Sequence, residues 1–261
     1  KLGPEHPDTL ASMNNLAAHY GLLKQFDKSI PLFENTLKLQ QARHGRNHPD
    51  TLMTVTHLGV NYMDAGRLKE AVPLLEEAHR EGKKYPQLRF VGPQLLDAYA
   101  NAGEIARFTD LLKEQLAEAR GSLPKDSPQL AGTLAQFGLS LLKQKQWSEA
   151  EPLIREALSI REKAEPDAWT TFNTQSLLGA ALLGQKKYAE AEPLLLKGHD
   201  GMKAREKTIP PQGGTRLPEA LDRLIELYTA TDQPDDVNRW RAERAKYPFP
   251  NEADTPPREK K

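Results

Sequence analysis

Few residues of this 261-residue chain have types and spacings that could do chemistry. His44 and His48 are four apart, the spacing at which one helix face offers two imidazoles to zinc. Gly45, Asn47 and Pro49 instead place them in a loop, with no Cys and no evident third ligand. Glu149 with Glu151, and Glu190 with Glu192, resemble the paired acids of general acid–base catalysis. Each pair falls at the exposed start of a helix, where negative charge favours the helix dipole, and reads as structural. Gly213-Gly214 is not followed by Lys-Ser or Lys-Thr in P-loop spacing. No HExxH, GxSxG or kinase signature set occurs. The expectation is a chain that is not an enzyme, with no catalytic residue, metal ligand or cofactor.

The elements that carry these residues recur. His48-Pro49-Asp50-Thr51-Leu52 opens one stretch, Leu58-Gly59 and Tyr62 mark its middle, and the run Leu68 to Leu75 closes it. His6-Pro7-Asp8-Thr9-Leu10 begins the same pattern 42 residues earlier, which makes His6 and His48 equivalent and structural. Trp147-Ser148-Glu149-Ala150-Glu151-Pro152-Leu153 returns 41 residues later as Tyr188 to Leu194. A fixed period of this length marks a repeat protein whose units stack to share one core. Six helix pairs are expected, over residues 6–47, 48–85, 86–122, 124–165, 166–207 and 215–246, forming one solenoid over residues 1–246.

Within each pair the apolar residues follow helical spacing, as at Leu10, Met13, Leu16, Ala17 and Tyr20. Ala17, Gly59, Gly138 and Gly179 are small where two helices must approach, with Ala71, Ala150 and Ala191 expected opposite them. A mid-helix Gly costs about 0.5–1 kcal/mol against Ala, so its recurrence points to packing. Pro31, Pro73, Pro152 and Pro193 are expected near the first turn of each second helix, where a missing N–H costs least. Gly66 is expected to close the first helix of its pair in a left-handed conformation. Phe108 replaces the small residue in the third pair and predicts wider packing there. The cluster Thr208 to Gly214 predicts a loop, and the charged segment 247–261 a disordered tail.

Composition narrows the partners. Lys plus Arg equals Asp plus Glu at 36 each, without the basic stripe of a nucleic-acid binder or the polybasic block that holds an anionic membrane. Cys is absent, which excludes disulfides and thiolate metal sites. No apolar run approaches the roughly 18 residues of a membrane span. The chain opens inside a repeat without a signal peptide, so a fragment of a longer, cytoplasmic protein is expected, with more sequence on its N-terminal side.

The anchors Leu58-Gly59, Tyr62, Ala71, Leu75 and Ala78 resemble those of the tetratricopeptide family, whose usual repeat is about 34 residues against 41–42 here. The longer form, with Leu2-Gly3-Pro4-Glu5-His6-Pro7-Asp8 and Asn14-Asn15-Leu16-Ala17, is similar to the kinesin light chain subtype. Thr170 to Gly179, with the Ala189 to Leu195 run, resembles the C-terminal repeats of bacterial serine/threonine kinases, especially planctomycete ones. The third repeat departs from the family pattern.

The resemblance implies an all-α, right-handed superhelix whose first helices line a concave groove. Mapped onto this chain, the groove shows Ala11, Asn14, Ala18, Met53, Thr56, Val60, Gly132, Ala135, Leu139, Asn173, Ser176 and Ala180. Asn14 and Asn15 match the family's double Asn, whose amides can donate to and accept from a peptide backbone. The groove reads as neutral and made of small residues, without a clear Lys and Arg clamp for an acidic terminus. The expected function is a scaffold that binds a peptide or protein segment beside an attached bacterial kinase. The alternative is an architectural spacer or self-association module with an empty groove. A monomer is expected, with neither nucleic acid nor membrane as partner.

Overall fold

A computed structural model describes residue 3 and residues 5–247. Tyr247, the first residue of the expected tail, is instead ordered and packs against Met202, Leu217 and Ala220; the rest of the tail, residues 248–261, and residues 1, 2 and 4 lie outside the described residues. Among the described residues the fold is all α, with twelve helices and no strand. They are α1 (Pro7–Leu22), α2 (Phe26–His44), α3 (Pro49–Asp64), α4 (Leu68–Gly82), α5 (Val91–Ala102), α6 (Ile105–Ser122), α7 (Pro128–Lys143), α8 (Trp147–Ala164), α9 (Trp169–Gly184), α10 (Tyr188–Ala204), α11 (Arg216–Ala230) and α12 (Pro234–Arg244). The breaker cluster after α10 holds two short 3-10 turns, Glu206–Thr208 and Pro211–Gly213. The helices form two compact units that divide inside α6, between Gln115 and Leu116.

The helix starts follow from the sequence. His6 and His48 are N-caps: Nδ1 of each accepts from the backbone N–H of Asp8 and of Asp50, at 3.2 and 3.3 Å. Pro7 and Pro49 then occupy the first helical position, where no N–H is needed. Ser127 caps α7 through the Leu130 N–H. His44 is the last residue of α2 rather than a loop residue, and its ring stacks on His48 at 4.5 Å.

Each pair closes on a tight turn with one residue at positive φ. Gly66 (74°) and Gly103 (71°) fill it without strain; Lys24 (56°), Lys145 (57°), Lys186 (62°) and Asp232 (54°) fill it at a cost. A left-handed residue other than Gly costs about 1–2 kcal/mol. The compensation is a bond from the next N–H back to the first helix, such as Arg67 to Tyr62 at 2.8 Å and Lys187 to Leu182 at 2.9 Å.

The small residues of the first helices do meet their partner helix. A Cβ on Gly59 would lie 2.8 Å from Leu75 Cγ, and one on Gly179 2.6 Å from Leu195 Cγ. On Gly138 it would collide with Ile154. The neighbour is each time the residue sixteen further on, and Ala71 and Ala191 present only their backbone oxygens. In the third pair Phe108 is 1 % exposed, and the close approach shifts to Gly92, which lies against Gln115. In the fifth pair Gly198 and Gly201 of α10 lie against Ser176 and Phe172 of α9.

The prolines depart from expectation. Pro31, Pro73, Pro152 and Pro193 are each the sixth residue of their helix, in the second turn. The bond each forfeits would have reached the carbonyl of Asp27, Lys69, Ser148 or Ala189. All four of those residues are exposed.

Two outcomes test this packing. Gly138→Leu and Gly179→Leu should each destabilise the protein by about 1–3 kcal/mol in urea unfolding, because the added volume forces the pair apart. Lys186→Gly should raise stability by about 0.5–1 kcal/mol, the left-handed strain relieved less the entropy that Gly adds to the unfolded chain.

Candidate functional site

In the first unit, the first-helix faces of α1 and α3 line two cavities. One, of about 330 Å³, gathers Ala11, Asn14, Asn15 and Met53 with Gln40 and His44. The other, of about 580 Å³, gathers Ala18 and Val60 with His57, Asp64, Phe90 and Gln94. Leu22, 83 % exposed, stands on its rim. Burial lowers the His57 pKa, which keeps its ring neutral near pH 7. Burial raises the Asp64 carboxyl, against the pull of Lys24.

In the second unit, α7 and α9 line a cavity of about 210 Å³ with Gly132, Ala135, Leu139 and Asn173. Arg161 of α8, Trp169, Gln136, Gln212 and Arg216 complete its wall. Arg161 is 8 % exposed, and burial lowers its pKa. Its Nη1 donates to the Thr170 carbonyl at 2.7 Å and to Thr174 Oγ1.

Three expected groove residues sit differently. Thr56 is fully buried, and its hydroxyl donates to the Leu52 carbonyl at 2.8 Å. Ser176 is also fully buried; its hydroxyl oxygen accepts from Arg223 at 3.0 Å. Asn14 is half-buried with its amide engaged at both ends, beside His57 Nδ1 at 3.3 Å and accepting from Thr54 Oγ1 at 3.0 Å. All three lie one helical turn before the small residue of their helix, and in Thr56 and Ser176 that place packs inward. Asn15 is exposed, Met53, Ala18, Val60 and Ala180 are half-buried, and Ala135, Leu139 and Asn173 are nearly covered. The column one residue on, His57 and Gln136, reaches the cavities and was missed; the same i to i+4 step from Met53 and Gly132 points to it.

The acid pairs are also more than solvated helix starts. Tyr62 donates to Glu34, and Tyr99 to Glu76 at 2.7 Å, each from a first helix to the preceding second helix. In the second unit Gln185 donates to Glu151 at 2.7 Å and Tyr228 to Glu192 at 2.8 Å. Burial, then the carboxylate beside each ring, pushes Tyr62 and Tyr228 up to about 12. Burial works to raise Glu151, but bonds from Gln185, Arg155 and Lys187 outweigh it and hold the carboxyl at about 2. No group of three or more His, Cys, Asp or Glu among the described residues could hold a metal ion. None of the described helices is long and apolar enough to cross a membrane.

Helix pairs packed through a small residue, turned by one left-handed residue and tied to the preceding pair by a bond to a carboxylate, define a helical-hairpin repeat protein. The chain belongs to the tetratricopeptide repeat family, whose model matches residues 8–80 and 129–204, more than half of the sequence. The fold is similar to that of a Podosopora anserina kinesin light chain with nearly identical TPR-like repeats, solved as a point variant (TM-score 0.68, 22% identity, 79% of this chain and 100% of that one). It is also similar to BtubC from P. vanneervenii (TM-score 0.63, 12% identity, 90% of this chain and 95% of that one). At these identities the likeness is one of fold. No curated protein matches the sequence.

Glu151 gives a pH test. Its folded pKa of about 2 lies below the ordinary 4.5, so its contribution is complete above about pH 4.5 and is lost as pH falls towards 2. Urea unfolding across that window should show Glu151→Gln less stable than the parent at pH 7, with the difference closing towards pH 2.

Proposed function

We propose that the chain is a protein-interaction scaffold that holds a peptide or protein segment against its first-helix faces. The observation that carries this reading is that the described cavities on α1, α3, α7 and α9 combine apolar walls with amides, at Asn15 and Asn173. An extended peptide needs that combination, apolar pockets for side chains and amides for its backbone. The setting we propose is the repeat region of a larger cytoplasmic bacterial signalling protein such as a serine/threonine kinase, which rests on the resemblance of Thr170 to Gly179 to such repeats. The scaffold works as a monomer, without nucleic acid or membrane as partner, in keeping with its even charge.

Peptides selected from a displayed library test the reading. Asn173→Ala should weaken a selected peptide about tenfold, the loss of one buried hydrogen bond, and leave the melting temperature unchanged, because Asn173 Oδ1 has no partner in the free protein. Asn15→Ala should do the same for peptides held by the first unit. Lys38→Glu and Lys69→Glu, on the exposed faces of second helices, should leave binding intact. Loss of binding in the lysine variants alone would move the site to the outer face. A library that yields no peptide would favour the architectural spacer.

A further inference from the structure

We infer that the outer face of α1 is the docking face for one amphipathic helix of the same polypeptide, a counterpart of α2 that precedes α1. The inference stands apart from the peptide reading, because none of the residues on this face lines a described cavity. It begins from an apolar stripe left uncovered. Thr9, Met13, Leu16, Tyr20 and Leu23 recur at steps of three and four, along one side of α1 and its C-cap. Leu16 is 47 % exposed and Leu23 55 %. Shifted by the 42-residue period, the same places in α3 are Thr51, Val55, Leu58, Tyr62 and Ala65. There Thr51 and Val55 are fully buried and Leu58 is 3 % exposed. The cover is α2: Val55, Leu58 and Tyr62 share one core cluster with its Ile30, Phe33 and Leu37. The caps His6 and His48, and the positive-φ residues Lys24 and Gly66, stand at the same 42-residue step and fix the register.

The polar contact points the same way. The Tyr62 hydroxyl donates to Glu34 of α2. Tyr20 holds the equivalent place, and among the described residues no carboxylate accepts from its hydroxyl; Lys28 Nζ lies 5.4 Å from its ring centroid. A solvated outer face reads differently. In α12 the exposed residues are mainly polar, among them Asp235, Asn238, Arg239 and Arg241. An end helix of a stack needs such a face to stay soluble, and α1 lacks one. A contiguous apolar face left bare marks an interaction site. The linker identifies the source of its cover. Gly45 to His48 joins α2 to α3, and Gly3-Pro4-Glu5-His6 stands ahead of α1 with Gly and His at the same places. A helix joined through that linker reaches α1 as α2 reaches α3, whereas a helix of another molecule has no use for it.

The first test is the reading frame. The residues 42 positions ahead of Ile30, Phe33 and Leu37 should be apolar, and the one 42 ahead of Glu34 acidic. Polar residues at two of the three apolar places, or no preceding segment at all, would overturn the inference. The second test compares the 261-residue chain with the natural chain lengthened by that one period. Hydrogen exchange of the α1 amides should slow by about tenfold or more in the longer chain. Leu16→Lys should leave the melting temperature of the 261-residue chain unchanged and lower that of the longer chain by several degrees. Tyr20→Phe should speed α1 exchange in the longer chain alone. Exchange that stays as fast in the longer chain, or a Leu16→Lys cost equal in both chains, would show that no preceding helix docks there. A dimer of the longer chain that Leu16→Lys dissolves would assign the face to a second copy and equally sink the idea.

Discussion

The two helices of a repeat stand at a separation that one methyl group would breach. At Gly59, Gly138 and Gly179 an added Cβ would press into Leu75, Ile154 and Leu195, and Ala17 holds the same place in the first pair. That single approach orients the whole first helix about its axis. The residue three before it, at Thr56 and Ser176, turns inward and is fully buried, while Ala135 at the same place in α7 is nearly covered on the wall of a cavity. The residues at Met53 and His57, or Gly132 and Gln136, turn to the cavities. Moving the close contact along the helix would rotate every groove residue with it, because helical side chains share a face only at steps of three and four.

Much of the fold was legible because repetition turns weak local signals into strong ones. One His-Pro-Asp could begin any helix; two, 42 residues apart, mark a cap. The small residues were legible for the same reason. What escaped was conformation carried by residues without a conformational signature. Lys24, Lys145 and Lys186 occupy the turn that Gly66 announces, and nothing in a lysine advertises positive φ. Gly92, Gly198 and Gly201 escaped because they serve one pair each and do not recur. The prolines lie one turn later than expected, and the residues whose carbonyls they leave unbonded are themselves exposed.

The cavity walls were legible by face but not by column. A one-residue error along a helix rotates a side chain by about 100°, enough to exchange a groove wall for a core contact. Thr56, Ser176 and Asn14 show the consequence, two of them sealed and the third engaged with Thr54 and His57. Residues from second helices were invisible by construction. Arg161 belongs to the last turn of α8, where a basic residue has an ordinary reason to be, namely the negative end of the helix dipole.

Net charge does not describe the individual cavities. With 36 basic and 36 acidic residues the chain balances, and the first unit follows suit, its larger cavity holding a neutral His57 and an Asp64 whose ionisation is opposed by burial. The second unit does not. Among its acids, Glu151 accepts from Gln185 and pairs with Arg155 and Lys187, Glu192 accepts from Tyr228, and Glu219 pairs with Arg216 and Arg223. The Glu151–Gln185 and Glu192–Tyr228 bonds tie each pair to its neighbour, while Arg161 bonds only neutral acceptors, the Thr170 carbonyl and the Thr174 hydroxyl. A balanced sum over a sequence thus says little about a cavity, because buried charges interact over a few ångströms and only with what the fold places beside them.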